Sequence, residues 1–186
     1  MNTKTRLLVA LLEDRFAEYS IRGLAQKTST DYKNTYQVVK QLDASINKRK
    51  VGSSVLIAPK SVLTDDIFQA EKKRIEQLKL PILVQDIQAV KNPFFIAVVF
   101  GSYAKHTRSK LSDIDLCIIS DNSEIHEILS KKLSIFPTTV EIHSFSTEEF
   151  LSMVVSKQPS IAHEIIRYGV PVRNCEGYYD LIKHGF

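Results

Sequence analysis

The chain has 186 residues, 44% hydrophobic and 25% charged, enough apolar side chain for a packed core in one large domain or two small ones, which excludes a low-complexity protein. No apolar run approaches a membrane span, and MNTKTRLLVALLEDRF sets acidic residues directly after its apolar turns instead of a small-residue cleavage site. A cytoplasmic protein with no membrane partner is therefore expected. The formal charge of +4 is uneven: residues 1–60 carry 11 Lys and Arg against 5 Asp and Glu, and residues 61–186 carry 14 against 16, so anion binding is expected of the front end.

Residues 4–14 read as an amphipathic helix with Leu7, Leu8, Leu11 and Leu12 on one face. Ser20 caps a second helix over Ile21–Lys27, whose Ile21, Leu24 and Ala25 face inward. A third helix is predicted over Asp31–Ala44, with Tyr32, Tyr36, Val39 and Asp43 or Leu42 at helical spacing. Its other face carries Lys33, Asn34, Gln37, Lys40 and Gln41, donor-rich side chains that reach phosphates and base edges. INKRKVGSSVLIAP then reads as a hairpin, Ile46–Arg49 and Val55–Ala58 about a turn at Gly52-Ser53. Helix, helix, turn, helix and basic hairpin together resemble a winged helix-turn-helix domain. The resemblance implies DNA binding, with the third helix (Lys33, Asn34, Gln37, Lys40) in a major groove and a wing (Lys48, Arg49, Lys50) along the backbone. A solvated polar face and a wing that contacts protein are the alternative. Such proteins commonly dimerise on two-fold sites, which makes a homodimer the prior.

Residues 61–80 read as a helix that bridges two domains or contributes to a dimer interface, capped by Thr64 with Asp65 and Asp66 in its first turn. Pro81 ends it or opens the next helix, in which Leu83, Ile87 and Val90 recur at helical spacing, and Asn92-Pro93 turns the chain into a strand. In FFIAVVFGSYAKHTRSKLSDIDLCIIS, the strand-like runs Phe94–Phe100 and Ile114–Ile119 bracket a polar segment with Gly101-Ser102 at one junction and Asp113-x-Asp115 at the other. Residues two apart on a strand share a face, so the two carboxylates repel and call for a cation between them. Hard oxygen ligands suit Mg²⁺ or Mn²⁺ bound together with substrate phosphates. Gly101 lets backbone approach a ligand, and Ser102 offers an N–H at a helical turn, where anions are favoured. Lys105, His106, Arg108 and Lys110 come next as candidate phosphate partners, Lys105 first among them. Cys117 is expected in the core.

Apolar strand, Gly-Ser, ten residues, then Asp-x-Asp in a second apolar strand is similar to the signature of the DNA polymerase β-like nucleotidyltransferase superfamily, near its minimal members. The resemblance implies an α+β or α/β fold, here a winged helix-turn-helix (1–60), a bridging helix (61–80) and a mixed-sheet nucleotidyltransferase domain with flanking helices (81–186). It implies transfer of a nucleoside monophosphate from an NTP such as ATP, with two divalent metals. Gly101 and Ser102 correspond to the phosphate-holding pair, Asp113 and Asp115 to the first two metal carboxylates, and Glu141 in TTVEIHSFS to a third, catalytic and metal-binding acid. Relatives often read Gly-Ser-Arg-Ala-Arg-Gly where this chain reads Gly-Ser-Tyr-Ala-Lys-His.

Residues 123–134 read as a helix, 138–145 as the strand of Glu141, with His143 its structural neighbour on the same face, and 147–156 and 160–168 as helices, the last ended by Gly169. A short strand at Val170–Val172 and a closing helix complete the sheet. The acceptor stays open among a protein hydroxyl, an RNA or DNA end and a small molecule. The rival function is a DNA-binding transcriptional regulator whose nucleotidyltransferase-like domain senses a nucleotide or is inactive.

Overall fold

The computed structural model describes residues 1–92, 94–156 and 158–183; Pro93, half of the expected Asn92-Pro93 turn, lies outside them. The chain divides into two compact units, Met1–Arg74 and Ile75–Phe186.

In the first unit Asn2 opens α1 (Thr3–Leu12) by accepting a hydrogen bond from Thr5 N–H at 2.8 Å. The four expected leucines are fully buried. A two-residue strand β1 (Tyr19–Ser20), too short to leave a periodic signal, leads directly into α2 (Ile21–Lys27), with Ser20 Oγ accepting from Gly23 N–H. Next come α3 (Tyr32–Gln41), capped by Asp31, and the hairpin strands β2 (Ile46–Val51) and β3 (Ser54–Pro59), joined through Gly52 at φ +58°. The strands order β1-β3-β2, all antiparallel, with Tyr19 opposite Ile57 and Lys48 opposite Ile57 on its other side.

The buried stripe of α3 differs from the expected one. Thr35, Val39 and Leu42 are buried, while Tyr32 and Tyr36 stand 54% and 41% exposed. A threonine can take the inward position because its hydroxyl is satisfied there, donating to Asp31 C=O and sharing a 2.8 Å hydrogen bond with Thr30 Oγ1. That hydroxyl network rotates the helix and leaves both rings outside, stacked on each other at 6.5 Å with Lys40 Nζ 4.4 Å from the Tyr36 ring.

The helix α4 (Asp65–Leu78) contains the boundary between the units. On its first-unit side Glu71 is 1% exposed and accepts from two buried guanidiniums, Arg15 at 2.5 Å and Arg74 at 3.0 Å. Three charges out of water are tolerated only while they satisfy one another.

In the second unit Pro81 starts α5 (Pro81–Gln88) at the position where a missing N–H costs nothing. Strand β4 (Ile96–Phe100) begins two residues later than expected, Phe94 being 82% exposed. After it come the single turn α6 (Gly101–Ala104), β5 (Ile114–Ile119), α7 (Glu124–Leu133), β6 (Val140–Phe145), α8 (Thr147–Val155), α9 (Ile161–Tyr168), β7 (Val170–Arg173) and α10 (Cys175–Ile182). The strands order β6-β5-β4-β7: β4 is antiparallel to both neighbours and β5 is parallel to β6, a mixed sheet in a mixed α+β fold. Strand alternation divides its faces. Ala97, Val99, Ile114, Leu116, Ile118, Val170 and Val172 pack with Leu83, Val84 and Ile87 of α5 and Ile125, Leu129 and Leu133 of α7. The opposite face holds Phe100, Asp115, Cys117, Glu141 and His143, with Cys117 buried as expected. Arg173, ending β7, donates to the carbonyls of Ile87, Gln88, Val90 and Asn92, closing the C-terminus of α5 and the segment that enters β4. No helix among the described residues is long and apolar enough to cross a membrane.

Replacing Glu71 with Ala removes the carboxylate that accepts from two buried guanidiniums, and the first unit is expected to lose about 3–5 kcal/mol. Urea unfolding of Glu71→Ala against the parent, followed by circular dichroism, measures the loss.

Candidate active site

Phe100, the last residue of β4, lies opposite Asp115 in the antiparallel register, so the next residue passes directly beside the Asp115 side chain. That residue is Gly101, at φ +64°, and a Cβ there would sit 1.9 Å from Asp115 Oδ2. Only glycine allows both the left-handed turn and the close pass. The turn also brings the Ser102 backbone N–H close enough to the Asp115 carboxylate to favour its charged form weakly.

Across the sheet, Asp115 is the parallel register partner of Glu141, and His143 sits two residues along on the same face. The ligand atoms of Asp115, Glu141 and His143 all lie within 4.8 Å of one another. His143 Nε2 stands 3.4 Å from Glu141 Oε1, and its ring meets Phe100 edge-on at 5.4 Å between centroids. The Asp115 carboxyl is held above its ordinary range, first by burial and then by the charge of Glu141; His143, a further carboxylate at Glu164 and the Ser102 N–H act on it more weakly. Two carboxylates and an imidazole converging at this spacing fit a divalent cation, and the nitrogen donor widens the choice from Mg²⁺ toward Mn²⁺.

Asp113 is exposed and stands outside this group. Pairing of β5 begins at Ile114, whose N–H bonds Thr139 C=O, so Asp113 precedes the regular strand. Lys105 is placed beyond α6 with its Nζ 2.8 Å from Glu164 Oε1 on α9 and 5.3 Å from the Tyr168 ring. Arg108 lies against the Tyr103 ring and donates to Leu78 C=O. In the first unit Lys33, Asn34, Gln37 and Lys40 are exposed on α3, Asn34 donating to Thr3 Oγ1. Of the hairpin cations, Lys48 pairs with Asp43 and Arg49 with Glu18, while Lys50 is exposed. His143 and Glu164 gain importance over their reading from sequence. The i, i+2 spacing from Glu141 is a signal for His143, whereas nothing local marks Glu164, which arrives from a helix distant in sequence.

The model of the polymerase beta nucleotidyltransferase family matches residues 82–174, half of the chain. The chain belongs to that family. No curated protein matches it. The matched segment runs from α5 to the end of β7 and contains Gly101, Asp115, Glu141 and His143, so the cluster falls inside the nucleotidyltransferase domain. Nucleotidyl transfer is accordingly the general reaction class of this domain.

Two outcomes test the geometry. Gly101→Ala is expected to destabilise the second unit by about 2–4 kcal/mol, and by only about 1–2 kcal/mol in an Asp115→Ala background, where backbone strain is the main remainder; a denaturation cycle reads the difference. The second concerns pH. Because folding raises the Asp115 pKa from 3.8, native protein holds this proton more tightly, and the stability it contributes is present below that value and lost as pH rises through the raised one. In chelator-treated buffer Asp115→Asn should melt about 1–2 °C above the parent at pH 7, with the gap closing below about pH 4.

Proposed function

We propose that the second unit transfers a nucleoside monophosphate from an NTP to an acceptor hydroxyl, releasing pyrophosphate. The convergence of Asp115, Glu141 and His143 beside the bare backbone of Gly101-Ser102 carries the reading. A divalent cation held by Asp115 and Glu141, with His143 as a nitrogen ligand, would supply neutralisation of triphosphate charge and acidification of the acceptor. Asp113 is assigned as a further carboxylate ligand on its Asp-x-Asp spacing alone. Around that position the chain's own groups divide the work. Gly101, having no Cβ, lets the backbone lie against the Asp115 carboxylate, so a phosphate on the cation would meet the α6 turn beside it. Lys105 is the side-chain cation for the triphosphate. Glu141, whose side chain is 60% exposed, would either complete the cation's ligand set or hold the acceptor hydroxyl and receive its proton as the α-phosphate is attacked. Positioning and charge, not covalent chemistry, then account for the rate.

For the first unit the proposal is a DNA-binding winged helix acting as a tether. The order α1-β1-α2-α3-β2-β3 and the exposed Lys33, Gln37, Lys40 and Lys50 support it. With two hairpin cations in ion pairs, α3 carries most of the contact to phosphate.

Incubation with each labelled NTP and Mg²⁺ or Mn²⁺ tests the reaction, with pyrophosphate release and label transfer to a cell lysate as readouts. Asp115→Ala and Glu141→Ala are expected to lower transfer by about 10²–10³-fold. Pyrophosphate release that persists in both variants, or none from the parent with any acceptor pool, would overturn the assignment.

A further inference from the structure

The residue that holds Lys105 has no part in the reaction proposed above, yet its position is unusual. Glu164 extends from α9 to place Oε1 2.8 Å from Lys105 Nζ, and one turn further along the same helix the Tyr168 ring lies 5.3 Å from that ammonium. Both ion-pair partners are partly exposed, so the contact adds little stability. Its effect is electrostatic and local. The Glu164 carboxylate cancels the charge of Lys105, the first cation after Gly101-Ser102 in the chain, and its charge is also felt at Asp115, adding to the negative field of Asp115 and Glu141. An NTP is itself strongly anionic. Without a cation it meets three carboxylates and a lysine already engaged; once a cation offsets Asp115 and Glu141, Lys105 is free to exchange its partner for a phosphate.

We propose that Glu164 is a positioning residue that makes nucleotide binding conditional on the metal, by keeping Lys105 compensated and parked against Tyr168 until the metal-bound nucleotide draws it away. The proposal rests on the nucleotidyltransferase reading of the same site. It accounts for an acidic side chain set against a lysine that a triphosphate-binding protein would be expected to leave unopposed. Removing its charge frees Lys105 and relieves repulsion, so the metal-free protein gains affinity for the nucleotide while the metal-loaded protein changes little. A role confined to packing would instead weaken both states or neither.

Isothermal titration calorimetry of each of the four NTPs, in EDTA and in Mn²⁺, separates the cases. The parent is expected to bind in Mn²⁺ and at least tenfold more weakly in EDTA. Glu164→Gln is expected to tighten binding in EDTA by about tenfold and to change it by less than about threefold in Mn²⁺. In a Lys105→Ala background the same substitution should tighten EDTA binding by about threefold or less, because only the repulsion is left to remove. Unchanged or weaker EDTA binding by Glu164→Gln overturns the proposal, as does an equal effect with and without Lys105. If the parent binds no NTP in Mn²⁺, the nucleotidyltransferase reading itself fails, an outcome distinct from loss of the Glu164 effect alone.

Discussion

The contact between the backbone at Gly101 and the carboxylate of Asp115 is the constraint on which the second unit's chemistry depends. It arises from one register pair, Phe100 opposite Asp115, and from a residue with no Cβ at the next position. Register fixes which side chains share a face, and a slip of one residue would turn Asp115 into the apolar layer against α5 and α7. The large aliphatic residues Ile114, Leu116 and Ile118 anchor that register from the other face. Packing on one side of the sheet thereby holds a polar arrangement on the other.

The polar arrangement carries a cost. Asp115 and Glu141 sit side by side on parallel strands, and the nearby Ser102 N–H and His143 only partly compensate their charge. A fold optimised for stability alone would place apolar residues there. Retaining both acids, packed against a glycine whose missing side chain lets the backbone touch Asp115, is consistent with the proposed cation and its anionic partner.

Sequence and structure agree most closely where a local rule decides the outcome. The run Ile114–Ile119 yields β5 at its observed bounds because five apolar residues interrupted by one aspartate leave no other reading, and Ser20 followed by Ile21–Lys27 yields α2 through its cap. Gly101-Ser102 and Asp113-x-Asp115 fall where β4 ends and β5 begins, the ends of the two apolar runs. What stays hidden depends on partners far along the chain. Asp113 and Asp115 look equivalent by spacing, but the first precedes the paired strand. Tyr32 and Tyr36 look like a core stripe until Thr35 satisfies its hydroxyl and takes the inward position. Glu164 joins the site across 59 residues, and no periodicity encodes such a meeting.

Arg173 has a consequence for how this architecture comes into being. Strands β4 and β5 are close neighbours along the chain and can pair through residues 101–113 soon after they emerge. The carbonyls of Ile87, Gln88, Val90 and Asn92, however, are closed by a guanidinium that lies 81–86 residues later. During synthesis the hairpin that carries Gly101 and Asp115 therefore forms ahead of the anchor for its own lead-in, and the sheet stays open at the β4 edge until β7 arrives. The edge of β4 that faces β7 and the carbonyls before it are thus closed by one segment late in the chain, which ties completion of the sheet to the docking of β7.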